Sequence, residues 1–115
     1  MITYYNNEMP SLNIDRAELE QNINSLLSTF NGSFDFNSFT GALARYFIKE
    51  GKGFAVKSNT QYTGDLQQRD RALVREIIWD LIILRYLTPG GNGHDEWPSL
   101  TITSKGTDFF ATIKP

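Results

Sequence analysis

The stretch that decides the fold is residues 84–110, which read LRYLTPGGNGHDEWPSLTITSKGTDFF. A helix exit leads here into a tip rich in glycine, at residues 89–93, and apolar residues alternate at Leu100 and Ile102 on the return. Glycine-rich tips and two-residue alternation are typical of paired antiparallel strands. The pattern therefore predicts a β-hairpin over residues 86–103.

The end of the same stretch predicts a short closing helix. Gly106 marks a corner, and residues 107–113 follow it with the aromatic pair Phe109 and Phe110. Large rings favour burial, because each one removes much apolar surface from water. We expect both rings to pack inward.

Upstream of the hairpin, the first helical pattern begins at Asp15. Glu18 stands three residues on, as in a capping box, and Asn31-Gly32 supplies a stop. One face of this helix is apolar and consists of Leu19, Ile23, Leu26, Leu27 and Phe30. Residues 33–36 then alternate between polar and apolar and predict a brief strand.

The second helical pattern has Asn37 or Ser38 as its predicted N-cap and Gly51 as its end. Its apolar face consists of Phe39, Leu43, Tyr46 and Phe47. Residues 51–64 remain open among loop, strand and short helix, because alternation within them is brief and several of them favour turns.

The third helical pattern is the longest. It extends from Asp65, with Gln68 in the capping-box position, to about Tyr86, before Pro89. Its wide apolar stripe is typical of a domain's centre and consists of Leu66, Leu73, Val74, Ile77, Ile78, Leu81 and Ile82. The helices and the hairpin together predict a mainly α fold with a small antiparallel β-hairpin, of the α+β class.

With 115 residues the chain has the length of one domain. The pattern divides it into an N-terminal arm at residues 1–14 and a single domain at residues 15–115. No apolar run approaches the roughly 20 residues of a membrane span, and the N-terminus has neither the basic nor the apolar region of a secretion signal. The sequence therefore predicts a cytoplasmic protein with no membrane partner.

Residue counts exclude several kinds of chemistry. The chain has no Cys and a single His, His94. Thiolate zinc sites, iron–sulfur clusters, thiol nucleophiles and disulfide scaffolds are thereby excluded. His94 stands beside two carboxylates without converging ligands, so we expect no metal, no cofactor and no catalytic residue, and the protein is not expected to be an enzyme.

The order of the predicted elements resembles the winged-helix fold, a form of the helix-turn-helix. Its most specific part is an RYLTPG helix exit at residues 85–90, then Trp97-Pro98, an LTIT strand at residues 100–103 and the Lys105-Gly106 corner. Endings of this form are common in bacterial winged-helix domains. The resemblance therefore implies a winged-helix-like domain of bacterial type.

The resemblance also implies binding of duplex DNA and a role in transcription regulation. In that fold the third helix enters the major groove, and the wing, which is the hairpin tip, contacts the DNA backbone or the minor groove. Arg can bridge guanine edges and Gln adenine edges, while either can hold phosphates. The candidate DNA-binding residues are Gln67, Gln68, Arg69, Arg71, Arg75, Lys52 and Lys57, and the wing candidates are Asn92, Gly93 and His94.

The formal net charge is −2, yet the charges are unevenly distributed. Residues 45–75 carry seven basic and three acidic side chains, a net +4, whereas residues 1–31 carry one and four, a net −3. The positive part coincides with the second and third helices and permits contact with nucleic acid. In the competing interpretation the helix-three arginines pair with the neighbouring acids Asp65, Asp70 and Glu76 on a solvated face.

The alternative function is that of a protein–protein interaction module without DNA contact, a subunit or adaptor of a phage- or plasmid-related system. The predicted wing carries Asp95 and Glu96, which repel phosphates. The candidate partner-binding residues are Tyr4 and Tyr5 on the arm and Trp97, which can instead fold over the sheet and anchor the hairpin. Aromatic residues on a terminal arm also allow either a homodimer or docking of the arm onto the core of the same chain.

Overall fold

The computed structural model of the chain describes residues 10–51, 53, 64–91, 93 and 95–113 in full and the backbone of residues 4–6 and 60–62. Within these residues the elements, in chain order, are β1 (Tyr4–Asn6), α1 (Arg16–Leu27), β2 (Ser33–Asp35), α2 (Phe36–Glu50), β3 (Thr60–Tyr62), α3 (Gln68–Ile83), β4 (Leu87–Pro89), β5 (Ser99–Ile102) and α4 (Ser104–Ala111). None of the described helices is long and apolar enough to cross a membrane.

Three of the strands form one antiparallel sheet in the order β2-β5-β4. Thr88 lies opposite Thr101 in the predicted hairpin, and Phe34 lies opposite Leu100 where β2 joins the other edge of β5. The predicted hairpin and the predicted brief strand are both confirmed. Four helices with this small sheet confirm the mainly α, α+β class and give the chain a winged-helix-like layout.

A second, two-stranded sheet links the N-terminal arm to the connection between α2 and α3. In it β1 runs parallel to β3, with Tyr5 opposite Gln61. The backbone N–H of Asn13 also donates to the carbonyl of Gly53 over 2.7 Å, so the two segments meet at two places. The sequence left residues 51–64 open among loop, strand and short helix. Within this range Thr60–Tyr62 is a strand, and the structure also describes residues 51, 53 and 64.

The core lies where α1, α2 and α3 meet the three-stranded sheet. Its largest fully buried side chains include Phe39 and Phe47 of α2, Ile23 of α1, Ile78 of α3 and Leu100 of β5. The predicted apolar faces of all three helices therefore converge on one interior, as their helical spacing requires.

The closing helix α4 begins at Ser104, three residues before its predicted start. Gly106 is therefore not a corner: it lies inside the first turn, where its N–H donates to the N-cap hydroxyl of Thr103 over 2.9 Å. Phe110 packs inward as predicted. Phe109 is only half-buried and stacks on Tyr86, with ring centroids 4.1 Å apart.

Two further predicted helix starts, those of α2 and α3, are displaced. At α1 the prediction holds, since the Asp15 carboxylate accepts from the N–H of Glu18 over 2.8 Å. At α2 the N-cap is Asp35, not Asn37 or Ser38, because the Asp35 carboxylate accepts from the N–H groups of both those residues. A carboxylate also suits the positive end of the helix dipole, so it displaces the neutral candidates.

The predicted cap of α3 is wrong for a related reason. The Asp65 carboxylate accepts from the N–H of Leu66 over 2.6 Å and from the hydroxyl of Thr40 over 2.9 Å, so it is directed toward α2. The helix begins at Gln68, and the side chain of Gln67 at the N-cap position makes no capping hydrogen bond.

Candidate nucleic-acid interface

The first half of α3 exposes basic side chains and turns its own acid inward. Gln68, Arg69 and Arg75 are exposed, and Arg71 is half-buried. Asp70 between them is 5% exposed, and its carboxylate accepts from the N–H of Leu12 over 2.9 Å. The segment before α1 thus supplies a backbone hydrogen bond to Asp70, which is the only acid in the first two turns of α3.

The acids expected to neutralise Arg69 and Arg75 are engaged elsewhere. Asp65 bonds to Thr40, and Glu76 faces Arg16 with 3.4 Å between Oε1 and Nη1. Among the described residues, no acid lies within ion-pair distance of Arg69 or Arg75. The interpretation of three arginines paired on a solvated face is therefore wrong for these two.

Arg71 has a different role from its neighbours, because its guanidinium joins α3 to the start of α2. Nη2 donates to Oδ1 of Asn37, and the guanidinium carbon lies 6.0 Å from the ring centroid of Phe36. Nε lies 4.0 Å from Oδ2 of Asp65, an ion pair too long for a hydrogen bond. Arg71 therefore holds the first turns of α3 against α2.

A surface pocket of about 210 Å³ shows which predicted residues share one face. Its lining consists of Phe36, Asn37, Gln68, Arg71, Ala72, Arg75 and Trp97. Residues 68, 71, 72 and 75 follow helical spacing, which places them on one side of α3. Arg69 lies about 100° around the axis from Gln68 and is outside this pocket.

Gln67 is turned toward the N-terminal segment, since its side-chain oxygen accepts from the hydroxyl of Ser11 over 2.8 Å. It therefore does not join the pocket on α3. Phe36 and Asn37 also line that pocket, from the start of α2, and were not predicted as site residues. The two-residue displacement of the predicted helix start concealed them, whereas the acceptor at Asp35 was a signal that could have found them.

Trp97 anchors the hairpin to the helices through the rings of Trp79 and Phe36. Its ring stacks on that of Trp79 with centroids 5.6 Å apart and planes 24° apart, and it lies 4.8 Å from the ring of Phe36. The peptide bond that follows, to Pro98, is cis. The base of the hairpin is thus fixed beside the exposed half of α3.

The other side of Trp97 is acidic. A second, open pocket of about 490 Å³ is lined by Asp35, Gly93, Asp95, Glu96, Trp97, Pro98 and Ser99. Asp95 and Glu96 are exposed there, as the sequence predicts for a wing that repels phosphates. Trp97 therefore separates a basic face on α3 from an acidic face on the hairpin.

The remaining predicted site residues cannot be placed on either face. Lys52, Lys57, Asn92 and His94 lie outside the described residues, and only the backbone of Tyr4 and Tyr5, in β1, is described. The described candidates that come together are therefore Gln68, Arg71, Arg75 and Trp97, with Gly93 in the acidic pocket.

Comparison of the chain with models of known protein families, with curated proteins and with solved structures finds no match in any of the three. The class of the protein is therefore defined by its layout. It is a mainly α domain with a small antiparallel sheet, and a basic half-helix lies beside the base of its hairpin.

Proposed function

We propose that the chain is a winged-helix protein that binds duplex DNA through the first two turns of α3 and regulates transcription in the bacterial cytoplasm. One observation carries the proposal: Arg69 and Arg75 are exposed and, among the described residues, have no acid within ion-pair distance, while Asp70 is buried and Asp65 is bonded to α2. An exposed helix half with two unpaired guanidinium groups favours an anionic partner.

The arrangement around the helix axis suits a duplex groove. With 3.6 residues per turn, Arg75 and Arg69 are separated by about 120° around α3, and within the first two turns Gln68 and Ala72 lie between them. The major groove admits a helix, and its walls are the two phosphate backbones. In this docking the two arginines contact the phosphates on either side, while Gln68 reads an adenine edge and the small Ala72 permits close approach.

Arg71 supports this docking indirectly. Its bond to Asn37 and its contact with Phe36 hold the helix against the start of α2, so the exposed side chains keep one orientation. The acids of the hairpin, Asp95 and Glu96, keep the wing off the phosphates. DNA recognition therefore depends on α3 rather than on the wing.

Removal of the two unpaired arginines together, Arg69→Ala with Arg75→Ala, is expected to weaken DNA binding about 10-fold to 100-fold near physiological salt. The dependence of the logarithm of affinity on the logarithm of salt concentration should become less steep by about 1.8, because two phosphate contacts are lost. The measurement is fluorescence anisotropy of a labelled duplex, selected from a random-sequence pool, at several salt concentrations.

A matched control removes the same charge from another surface. Arg45 and Lys49 are exposed on α2, and replacing both by Ala lowers the net charge equally. This variant should leave the salt dependence unchanged. An equal loss in the two variants, or no binding of any duplex by the unaltered protein at low salt, would contradict the proposal.

The second candidate function is the protein–protein interaction module, a subunit or adaptor that does not contact DNA. The observation that favours it is the acidic pocket at Asp35, Asp95 and Glu96 beside two aromatic rings, of which Trp79 is 41% exposed. Tryptophan is enriched in interface centres, and the carboxylates would select a partner with a basic surface.

Neutralising the wing, Asp95→Asn with Glu96→Gln, separates the two functions. Under the DNA proposal, affinity for duplex DNA should rise about twofold to tenfold, because two charges that repel the backbone are removed. Under the second candidate, the variant should instead lose a protein that the unaltered chain captures stoichiometrically. The readouts are anisotropy on duplex DNA and affinity capture from cell extract with each variant. A fall in DNA affinity would count against the docking on α3.

A further inference from the structure

The second half of α3 forms one wall of an apolar groove that the DNA proposal does not use. The groove has a volume of about 450 Å³ and lies between α1, α3 and the stacked pair Tyr86 and Phe109. Two apolar side chains at its edge project into water: Ile83 is 74% exposed and Leu84 is 51% exposed. One surface thus carries both a recess and an apolar projection.

The exposure of these side chains results from how α3 ends. The N–H of Tyr86 donates to the carbonyl of Leu81, and the N–H of Arg85 donates to that of Ile82, which closes the helix in a Schellman motif. The residue in the left-handed conformation is Arg85, with φ of 69°, where glycine is usual. The turn therefore presents a cationic side chain next to the projecting Leu84.

One rim of the groove is acidic. Glu20 and Asp80 line it, and they share Arg16 with Glu76; the guanidinium contacts the three carboxylates over 3.1, 2.8 and 3.4 Å. The hydrogen bond to Glu20, with smaller contributions from Glu76 and Asp80, raises the pKa of Arg16 above its ordinary value. Three carboxylates against one guanidinium leave this rim negative.

The other rim is basic. Lys105 of α4 is exposed, and its Nζ lies 5.3 Å from the ring centroid of Tyr86, which lines the groove. Arg85 is exposed immediately before Tyr86. The groove is thus bordered by the acidic cluster on the α1 side and by Lys105 and Arg85 on the side of Tyr86.

We infer that a second copy of this chain occupies the groove, so that the protein is a two-fold symmetric dimer. In a two-fold interface the same patch meets itself, and each feature must find its complement within that patch. Here Ile83 and Leu84 of one protomer enter the recess of its partner, and the acidic rim of each protomer faces the basic rim of the other. A partner whose surface carries charges of one sign would be attracted to only one of the two rims.

The dimer leaves the first half of α3 free, because the two surfaces use opposite ends of a 16-residue helix. It would present two copies of the basic half-helix, as recognition of a palindromic site requires. The inference does not rest on DNA binding, since it is tested without DNA.

The first test is the dissociation constant measured by sedimentation velocity across the micromolar range, for the unaltered chain and for Ile83→Asp. A carboxylate at the interface centre would be desolvated without a partner, so the dissociation constant of the dimer should increase at least about 100-fold. Since Ile83 is largely exposed, the variant should fold, which circular dichroism verifies. Ser38→Asp, an equal change at an exposed position on α2, should leave the dimer intact.

The second test is a charge exchange. Lys105→Glu and Glu20→Lys should each weaken the dimer, and the double variant should recover most of the lost affinity, because each new charge then faces its opposite across the two-fold axis. A monomer at every concentration, an unaltered dimer in Ile83→Asp, or loss of a different bound protein from that variant would each overturn the inference. Loss of DNA binding alone would overturn only the DNA proposal.

Discussion

Gly106→Ala is expected to destabilise the protein by about 2–3 kcal/mol, although alanine is the better helix former. The position lies in the first turn of α4, where the helix passes directly against the chain that enters β4. An added Cβ would overlap the carbonyl oxygen of Tyr86 and lie 2.9 Å from its carbonyl carbon and 3.1 Å from Cγ2 of Ile102.

The overlap cannot be relieved by rotation of a side chain, because the obstructing atoms belong to the backbone. The carbonyl of Tyr86 accepts from the N–H of Thr103 over 3.1 Å, and Thr103 is itself the N-cap of α4. Moving α4 away would therefore stretch the bond that joins it to the β4 strand. It would also separate Phe109 from Tyr86, whose rings stack at 4.1 Å.

The matched control is Gly41→Ala. This glycine is also helical, but the nearest atom to an added Cβ is the end of the flexible Arg45 side chain, 3.4 Å away. Here the helix propensity of alanine should prevail and stabilise the protein by up to about 1 kcal/mol. Urea unfolding, followed by circular dichroism, measures both. Equal effects of the two variants would show that the close approach of α4 to Tyr86 does not limit stability.

A sequence pattern predicts the features of this fold that are determined locally, and it does not predict those that depend on contacts between distant segments. The hairpin, the brief strand and the apolar helix faces were predictable, because each depends on spacing within a short segment. The role of Gly106 was not, since the reason for glycine is a carbonyl twenty residues earlier in the chain. The start of α3 was missed for the same reason: Asp65 bonds to Thr40, far away in the sequence.

The candidate site shows the same limit. Helical spacing places Gln68, Arg71 and Arg75 on one face of α3, and all three line one pocket. Whether an arginine is paired depends on where its neighbouring acids point, and Asp70 points at Leu12, 58 residues away in sequence. The projecting Ile83 and Leu84 were likewise not predictable, because an apolar stripe does not reveal where the interior ends.

Phe39→Ala is the second large effect, and we expect a loss of about 3–5 kcal/mol in the free energy of unfolding. The ring is 0% exposed and lies 5.7 Å from the rings of both Phe30 and Phe34. These three aromatics join the segment that follows α1, strand β2 and helix α2. Truncation therefore removes the transfer free energy of one ring and leaves a cavity among elements that cannot all close on it.

A graded variant separates the cavity from a general intolerance of change at this position. Phe39→Leu keeps an apolar side chain, so its destabilisation should be well under half that of Phe39→Ala. Both are measured by urea unfolding, with the slope of free energy against urea as a check that the unfolded state is unaltered. Because Phe39 belongs to α2 and α3 carries the basic half-helix, DNA affinity per folded molecule should stay unchanged in Phe39→Leu. A destabilisation as large as that of Phe39→Ala would mean that the edge-to-face contact with Phe30, rather than the filled volume, holds α1 and α2 together.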